Sequence, residues 1–306
     1  MKQGTLKADI LLLITATIWG FAFVAQRVGM DYVGPFTFNA VRFALGSLSL
    51  IPLILLLQKR QPRSSELKHK PVLKGAIMAG VALFAGASLQ QAGLVYTTAG
   101  NAGFITGLYV VIVPILGLFW RQRPHVGTWL GAILAAVGLY FLSVTESFAI
   151  SFGDLLVLIG AFFWAGHVLL IGWLAPQTDS LKLASAQFAV CSILSLLTAL
   201  VVEVITLEAI WEAGVPILYG GLGSVGIAYT LQVIAQRDSH PAHSAIILSL
   251  EGVFAAIGGW LLLNEMLSLR GFFGCALMLA GMIFSEMVVF FSQKGRSLQA
   301  ATNHRH

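Results

Sequence analysis

Apolar residues fall in ten long runs, at about 9–29, 36–57, 72–94, 100–120, 126–145, 154–174, 183–202, 215–235, 243–263 and 269–291. Charged residues, Pro and turn formers gather between them. About 20 apolar residues are enough for a helix to cross the roughly 30 Å of bilayer hydrocarbon. The runs are continuous rather than alternating, which argues against the strands of a membrane barrel. The pattern therefore predicts an all-α membrane protein with ten transmembrane helices. The first run follows Lys2 and Lys7 and has the flavour of a secretory leader. It is long, lacks a small-residue cleavage site and recurs at 154–174, so it reads as a retained helix.

The chain is written twice. At an offset of 145, Asp9 falls on Asp154, Leu11 on Leu156, Ala16 on Ala161, Trp19 on Trp164, Arg42 on Gln187 and Phe43 on Phe188. At 142, Gln90 falls on Gln232; at 143, Gly131, Leu134 and Gly138 fall on Gly274, Leu277 and Gly281. The repeats occupy 9–145 and 154–291, with a flexible tail at 292–306. Five spans per repeat is an odd number, so the second copy must enter the membrane from the opposite side. Internally repeated membrane proteins of this inverted kind are typically transporters, with the solute site between the halves.

Charge fixes the expected orientation. Only 10% of residues are charged and 58% are hydrophobic, against about 25% charged in a soluble domain. The net charge of +5 could suggest nucleic acid, but its placement does not. Fifteen of the 18 Lys and Arg lie in tails or loops on one face, six of them in or beside the 58–71 loop. The counterpart connection at 203–214 holds Glu203, Glu208 and Glu212 and no base. The positive-inside rule then places both termini in the cytoplasm; the expected location is a bacterial inner membrane. Cys191 and Cys275 both lie inside apolar runs, where a disulfide framework is not expected and packing is.

Several stretches, in order, resemble one known family. These are Ile18-Trp19-Gly20 with Phe23-Val24-Ala25, Ala40-Val41-Arg42-Phe43, Tyr109 through Pro114, and Phe163-Trp164-Ala165. The longest is Leu250-Glu251-Gly252-Val253-Phe254-Ala255-Ala256, continuing to Asn264-Glu265. Together they resemble the drug/metabolite transporter superfamily, specifically its EamA-type members. Two departures stand out: Gly252 where that family commonly has Pro, and Arg123 where its fourth helix usually ends in an acid. The resemblance implies ten helices in two EamA repeats and, from the family's general tendency, export of a small metabolite.

Polar residues deep in apolar runs are costly unless paired, so they carry the candidate chemistry. Glu251 is eight residues into its run, near the midplane; it can bind an amine, carry a proton, or simply brace a neighbouring helix. Trp19 and Trp164 are repeat mates too deep for an interfacial belt and are expected to line or gate a central cavity. His167 lies one turn after Trp164 on the same face. Gln90 and Gln232 are mates suited to a hydrogen-bonding site or to mirrored gates. Tyr109 and Tyr229 suit stacking on a solute or ordinary packing. Arg42, about two turns into its run, reads as structural, snorkelling outward or pairing internally.

Phosphorylated solutes want several cationic groups, which the spans lack. An aromatic site with one deep carboxyl better suits neutral, zwitterionic or cationic solutes such as amino acids or amphipathic drugs. Gly220-Gly221-Leu222-Gly223 is not followed by the Lys and Ser/Thr of a phosphate loop and reads as helix packing. No cofactor or metal site is expected. The expected partners are a small-molecule solute, the lipid bilayer and, as a candidate, protons; nucleic acid is not expected, and monomer and homodimer both remain open. The rival classes are a membrane-embedded enzyme, for which Glu251 with His167 is the only weak constellation, and a channel-like scaffold.

Overall fold

The computed structural model of the chain describes residues 3–60, 72–122, 124, 126–143, 151–266, 269–270, 272–274, 276–281, 283–284 and 288. The tail at 292–306 and residues 61–71 of the basic loop lie outside them. No strand occurs among the described residues. The helices are α1 (Gln3–Gly29), α2 (Pro35–Arg60), α3 (Val72–Gly93), α4 (Ala99–Gly107), α5 (Tyr109–Phe119), α6 (Val126–Ser143) and α7 (Phe152–Leu174). They continue with α8 (Ser180–Val202), α9 (Leu207–Glu212), α10 (Gly214–Leu218), α11 (Thr230–Ala235), α12 (Pro241–Leu248) and α13 (Glu251–Leu263).

Eight helical stretches are long and apolar enough to cross a membrane. They correspond to the first four and the sixth to ninth apolar runs. The fifth and tenth runs show shorter apolar stretches, Val126–Gly138 and Phe272–Gly281. The all-helical, multi-span architecture thus holds, with eight spans met by length and composition.

Helix ends follow local chemistry. Ser151 and Asp154 form a reciprocal capping box at the start of α7, which satisfies two otherwise orphaned donors. The Asp179 side chain accepts from Leu181 N and Lys182 N at the start of α8. Thr98 caps α4 and His240 caps α12. α13 ends at Asn264 with φ 55°, a left-handed cap that Asn tolerates better than most residues.

Two spans are broken at mid-depth, and at mated positions. Leu108 joins α4 to α5 with ψ −15°, and Leu250 precedes α13 with ψ −12°. Leu108 N donates to Ile105 O and Leu250 N to Ile247 O, both at 3.2 Å. These are i→i−3 bonds that tighten the helix locally, a feature of mid-helix hinges. Leu250 is Leu108 displaced by 142, the offset that also relates Gln90 to Gln232.

One span departs from symmetry. Between α10 and α11 the chain runs as an 11-residue π-helix, Tyr219–Tyr229 (YGGLGSVGIAY). Its mate, α3, is an ordinary α-helix. The glycines permit close approach: a Cβ on Gly46 of α2 would sit 2.2 Å from Val225 Cγ1. Likewise a Cβ on Gly20 of α1 would sit 2.1 Å from Phe254 Cβ and 2.8 Å from its carbonyl carbon.

Helices of one half pack mainly on helices of the other. α2 lies on α8, α3 on α7, α1 on the π-helix and on α13, and α4 on α13. The interior between the halves is where the polar residues converge.

Candidate functional site

The eight sequence-selected residues meet around one cavity. Trp19 comes from α1, Gln90 from α3, Tyr109 from α5, Trp164 and His167 from α7, Tyr229 and Gln232 from the end of the π-helix and α11, and Glu251 from α13. Phe23, Gln26, Arg42, Thr106, Val168 and Ser224 complete the lining. Both halves contribute. The two hinge spans do so symmetrically, because Tyr109 and Glu251 are mates at offset 142 and each opens the helix beyond its break.

An aromatic wall is centred on Tyr229. Its ring lies 4.4 Å from Trp19, 6.0 Å from Trp164 with a near-parallel 28° tilt, and 6.3 Å from His167. Phe188 and Phe43 sit behind it at 5.9 and 6.1 Å. Such offset and edge-on arrangements are favourable.

A polar hub faces this wall. Trp164 Nε1 donates to Gln90 Oε1 at 2.9 Å, and Thr106 Oγ1 donates to the same oxygen at 3.3 Å. Gln90 Nε2 donates to Gln26 Oε1 at 3.1 Å. Four spans are thereby tied through one amide. His167 Nε2 shares a 2.9 Å hydrogen bond with Gln187 Oε1, which fixes the ring orientation, while Nδ1 is buried without a partner. Trp19 Nε1 donates to Ser224 O at 3.3 Å.

Charge enters from two directions. Glu251 is 3% exposed and its Oε1 has no hydrogen-bond partner. The buried Tyr109 hydroxyl is its polar neighbour. Arg42 is 1% exposed. Its Nε donates to Asn39 Oδ1 at 2.9 Å, and its guanidinium lies 4.8 Å from the Phe43 ring centre and 5.5 Å from that of Phe38. Of the two readings its place in the run left open, snorkelling and internal pairing, the structure shows the second, without an acid as partner: α8 and the Tyr219–Tyr229 segment pack over α2 there.

The cavity is narrow in this conformation. It leaves about 30 Å³ for the centres of water-sized molecules, and one water needs about 10–15 Å³ on that measure. Two or three waters fit; an organic solute enters only if the walls move apart.

Gln26, Thr106 and Ser224 were not singled out from sequence. Gln26 lies near the end of its run, Thr106 is short enough to back-bond within a helix, and Ser224 sits in a glycine-rich stretch that reads as packing. Polar atoms without a protein hydrogen bond remain at the cavity: Gln232 Oε1, His167 Nδ1 and Arg42 Nη2. Buried polar groups are normally satisfied, and these leave hydrogen-bonding capacity at the cavity wall.

Comparison with known proteins agrees with this architecture. The chain matches the EamA-like transporter family over residues 6–144 and again over 151–287. An uncharacterized transporter of Archaeoglobus fulgidus is 33% identical over 285 residues, 93% of this chain and 87% of the relative. The uncharacterized transporter YoaV of Bacillus subtilis is 22% identical over 94% of this chain and 99% of its own length. A solved crystal structure superposes with a TM-score of 0.72 at 19% identity, covering 92% of this chain and 96% of that one. At that identity it bears on the fold alone.

Proposed function

Because the chain belongs to the EamA-like transporter family, we propose that it is a secondary transporter that exports a small organic solute across a bacterial inner membrane by alternating access. In this reading the spans number ten, five per inverted repeat, and both termini are cytoplasmic. The observation that carries it is the convergence of repeat-mated residues on one midplane cavity: Trp19 with Trp164, Gln90 with Gln232, and Tyr109 with Glu251. Mated hinges at Leu108 and Leu250 flank that cavity. Two halves that can exchange conformations around a fixed site open it to one face and then the other.

The cavity chemistry supports amino acids or amphipathic amines as the solute class. The Tyr229-centred aromatic wall takes an apolar side chain or the face of a cation, and Glu251 takes an ammonium. No ATP-binding motif is present in the sequence, so a solute or proton gradient drives the cycle. Glu251 is the acid placed to couple protons, since it lines the cavity and lies beside a hinge.

The test is transport by purified protein in liposomes, with and without a pH gradient, for wild type and Glu251→Gln. Coupling through Glu251 predicts that the amide variant still exchanges solute for solute but loses gradient-driven accumulation. Unchanged gradient-driven accumulation in Glu251→Gln would remove Glu251 from the coupling step, and absence of saturable exchange for every solute class would remove the transport reading.

A further inference from the structure

Arg42 is left unexplained by an amine-binding cavity. It is fully buried, its Nη2 has no partner, and among the described residues no carboxylate lies within ion-pair distance of it. Arginine keeps its charge inside proteins, and a buried cation without a counter-charge costs several kcal/mol. Its repeat mate shows that the position does not require charge: Gln187 fills the equivalent place and satisfies His167.

Resting on the transport reading, we infer that Arg42 is the anion-holding end of the solute site. It receives the carboxylate of a zwitterion whose ammonium faces Glu251. Arg42, Tyr229 and Glu251 line the same cavity, and no ion pair joins the two charged residues among the described residues. The two charged side chains therefore share the cavity with the aromatic wall without pairing to each other, each available to a separate group of the solute. A planar guanidinium offers two parallel donors to a carboxylate. A phosphoryl group would call for further cations, and none lines the cavity.

The experiment uses matched probes on the purified protein: L-phenylalanine, phenethylamine and 3-phenylpropionate, with L-leucine, isoamylamine and 4-methylvalerate as the aliphatic set. Ligand-induced rises in melting temperature and counterflow in proteoliposomes are read for wild type, Arg42→Gln and Arg42→Lys. Wild type is expected to bind the zwitterion at least about tenfold more tightly than the matching amine, the scale of one charged hydrogen bond. Arg42→Gln loses that preference and keeps amine binding, and Arg42→Lys retains part of it. Equal binding of amine and zwitterion by wild type, or an intact preference in Arg42→Gln, overturns the inference and leaves the transporter reading standing. No response to any probe, in melting or counterflow, removes the solute site and the role of Arg42 with it. Should Arg42→Gln fail to fold, the wild-type comparison and Arg42→Lys still decide.

A second inference rests on broken symmetry and is independent of the solute. The mirror image of the Trp164–Gln90 hydrogen bond is one between Trp19 and Gln232. The first is made, at 2.9 Å. The second is not: Trp19 donates to Ser224 O, and Gln232 Oε1 is buried with no partner. The intervening segment is the π-helix, whose counterpart is α-helical. We propose that the two tryptophan–glutamine bonds exchange as the halves exchange conformations, with the π-helix rewinding to bring Gln232 under Trp19.

A Val168→Cys reporter in a Cys191→Ser, Cys275→Ser background reads this, labelled by an impermeant thiol reagent from either face of oriented vesicles. Removing one interhelical hydrogen bond shifts a two-state balance by about threefold. Gln90→Leu, which also removes the bonds to Thr106 and Gln26, and Gln232→Leu are expected to shift the ratio of labelling from the two faces in opposite directions, by at least that amount for Gln90→Leu. Trp164→Phe deletes the same made bond and is expected to follow Gln90→Leu. Shifts in the same direction, or none, overturn the proposal.

Discussion

Glu203 should be among the most consequential acids for stability, although it lies at a helix end. Its carboxylate accepts from Phe36 N and Thr37 N, both at 2.8 Å, and from Thr37 Oγ1 at 2.6 Å. It therefore caps the start of α2 from the end of α8, joining the halves. Losing a side-chain cap costs about 1 kcal/mol, the charge at a helix N-terminus adds about 0.3–1 kcal/mol, and the third hydrogen bond adds about 1 kcal/mol. Glu203→Ala is thus expected to cost about 2–3 kcal/mol, or about 5 °C in melting temperature. Glu203→Gln, which keeps one acceptor without the charge, should lose about half of that.

The structure supplies a second route to the same loss. A Cβ on Gly34 would fall 2.2 Å from Glu203 Cδ and 2.5 Å from each carboxylate oxygen, so Gly34→Ala must displace the carboxylate. The double variant should then be about as stable as Gly34→Ala alone, because contacting residues are not additive. Glu265 makes the related contact at the start of α4, but its two bonds to Ala99 N and Gly100 N are 3.2 Å long. Glu265→Ala should cost about 1 kcal/mol. Thermal melts of the purified variants give the ranking. A Glu203→Ala melt indistinguishable from wild type, or a fully additive double variant, would refute the capping argument.

Further outcomes follow from other contacts. Gly20→Ala should destabilise by about 3 kcal/mol or more, since its methyl meets the backbone of α13 rather than a movable side chain; a melt within error of wild type would contradict that packing. Trp164→Ala should lose about 3–5 kcal/mol through the void it leaves, whereas Trp164→Phe should lose about 1 kcal/mol with one hydrogen bond; equal melts for the two would contradict the placement of the indole. His240 Nδ1 accepts from Ala242 N, and burial, with His243 beside it, holds this imidazole below its ordinary value of 6.5. A depressed value means stability present above the unfolded value and lost as pH falls. Thermal stability should therefore drop between about pH 7 and 5, and drop less in His240→Asn, which caps in any condition; identical pH profiles would refute the cap. A cysteine placed at Glu208 should react with an impermeant reagent from outside the cell, and labelling from the cytoplasmic side alone would overturn the inverted topology.

The helices and the cavity were legible in the sequence for one reason: a polar or aromatic residue at mid-depth in an apolar run, repeated at the mated position, has few places to go except the interface between repeats. Trp19, Trp164, Gln90, Gln232 and Glu251 follow that logic and share one cavity lining. Arg42 stayed open between snorkelling and internal pairing because a base two turns from a run's end is able to do either, and the packing of α8 and the Tyr219–Tyr229 segment over α2 decides for the second. The mid-span breaks carry no proline at Leu108 or Leu250, and the neighbouring Gly107 and Gly252 are no stronger as signals than the glycines elsewhere in the runs. The glycines of the Tyr219–Tyr229 segment do serve close packing, as their spacing suggests, but the π-helical winding depends on the neighbours they pack against. Glu203 read only as a marker of loop charge, because its partners at Phe36 and Thr37 belong to the other half of the chain.

The central claim is that one cavity between two repeats is reached from both membrane faces in turn. Side-specific labelling of Val168→Cys in the Cys191→Ser, Cys275→Ser background tests it most directly, since Val168 lines the cavity and is 3% exposed. The account predicts reaction from either face in separately oriented vesicles, with a transported solute raising access from one face while lowering it from the other. Reaction from a single face under every condition, or simultaneous access from both that no solute alters, would contradict it.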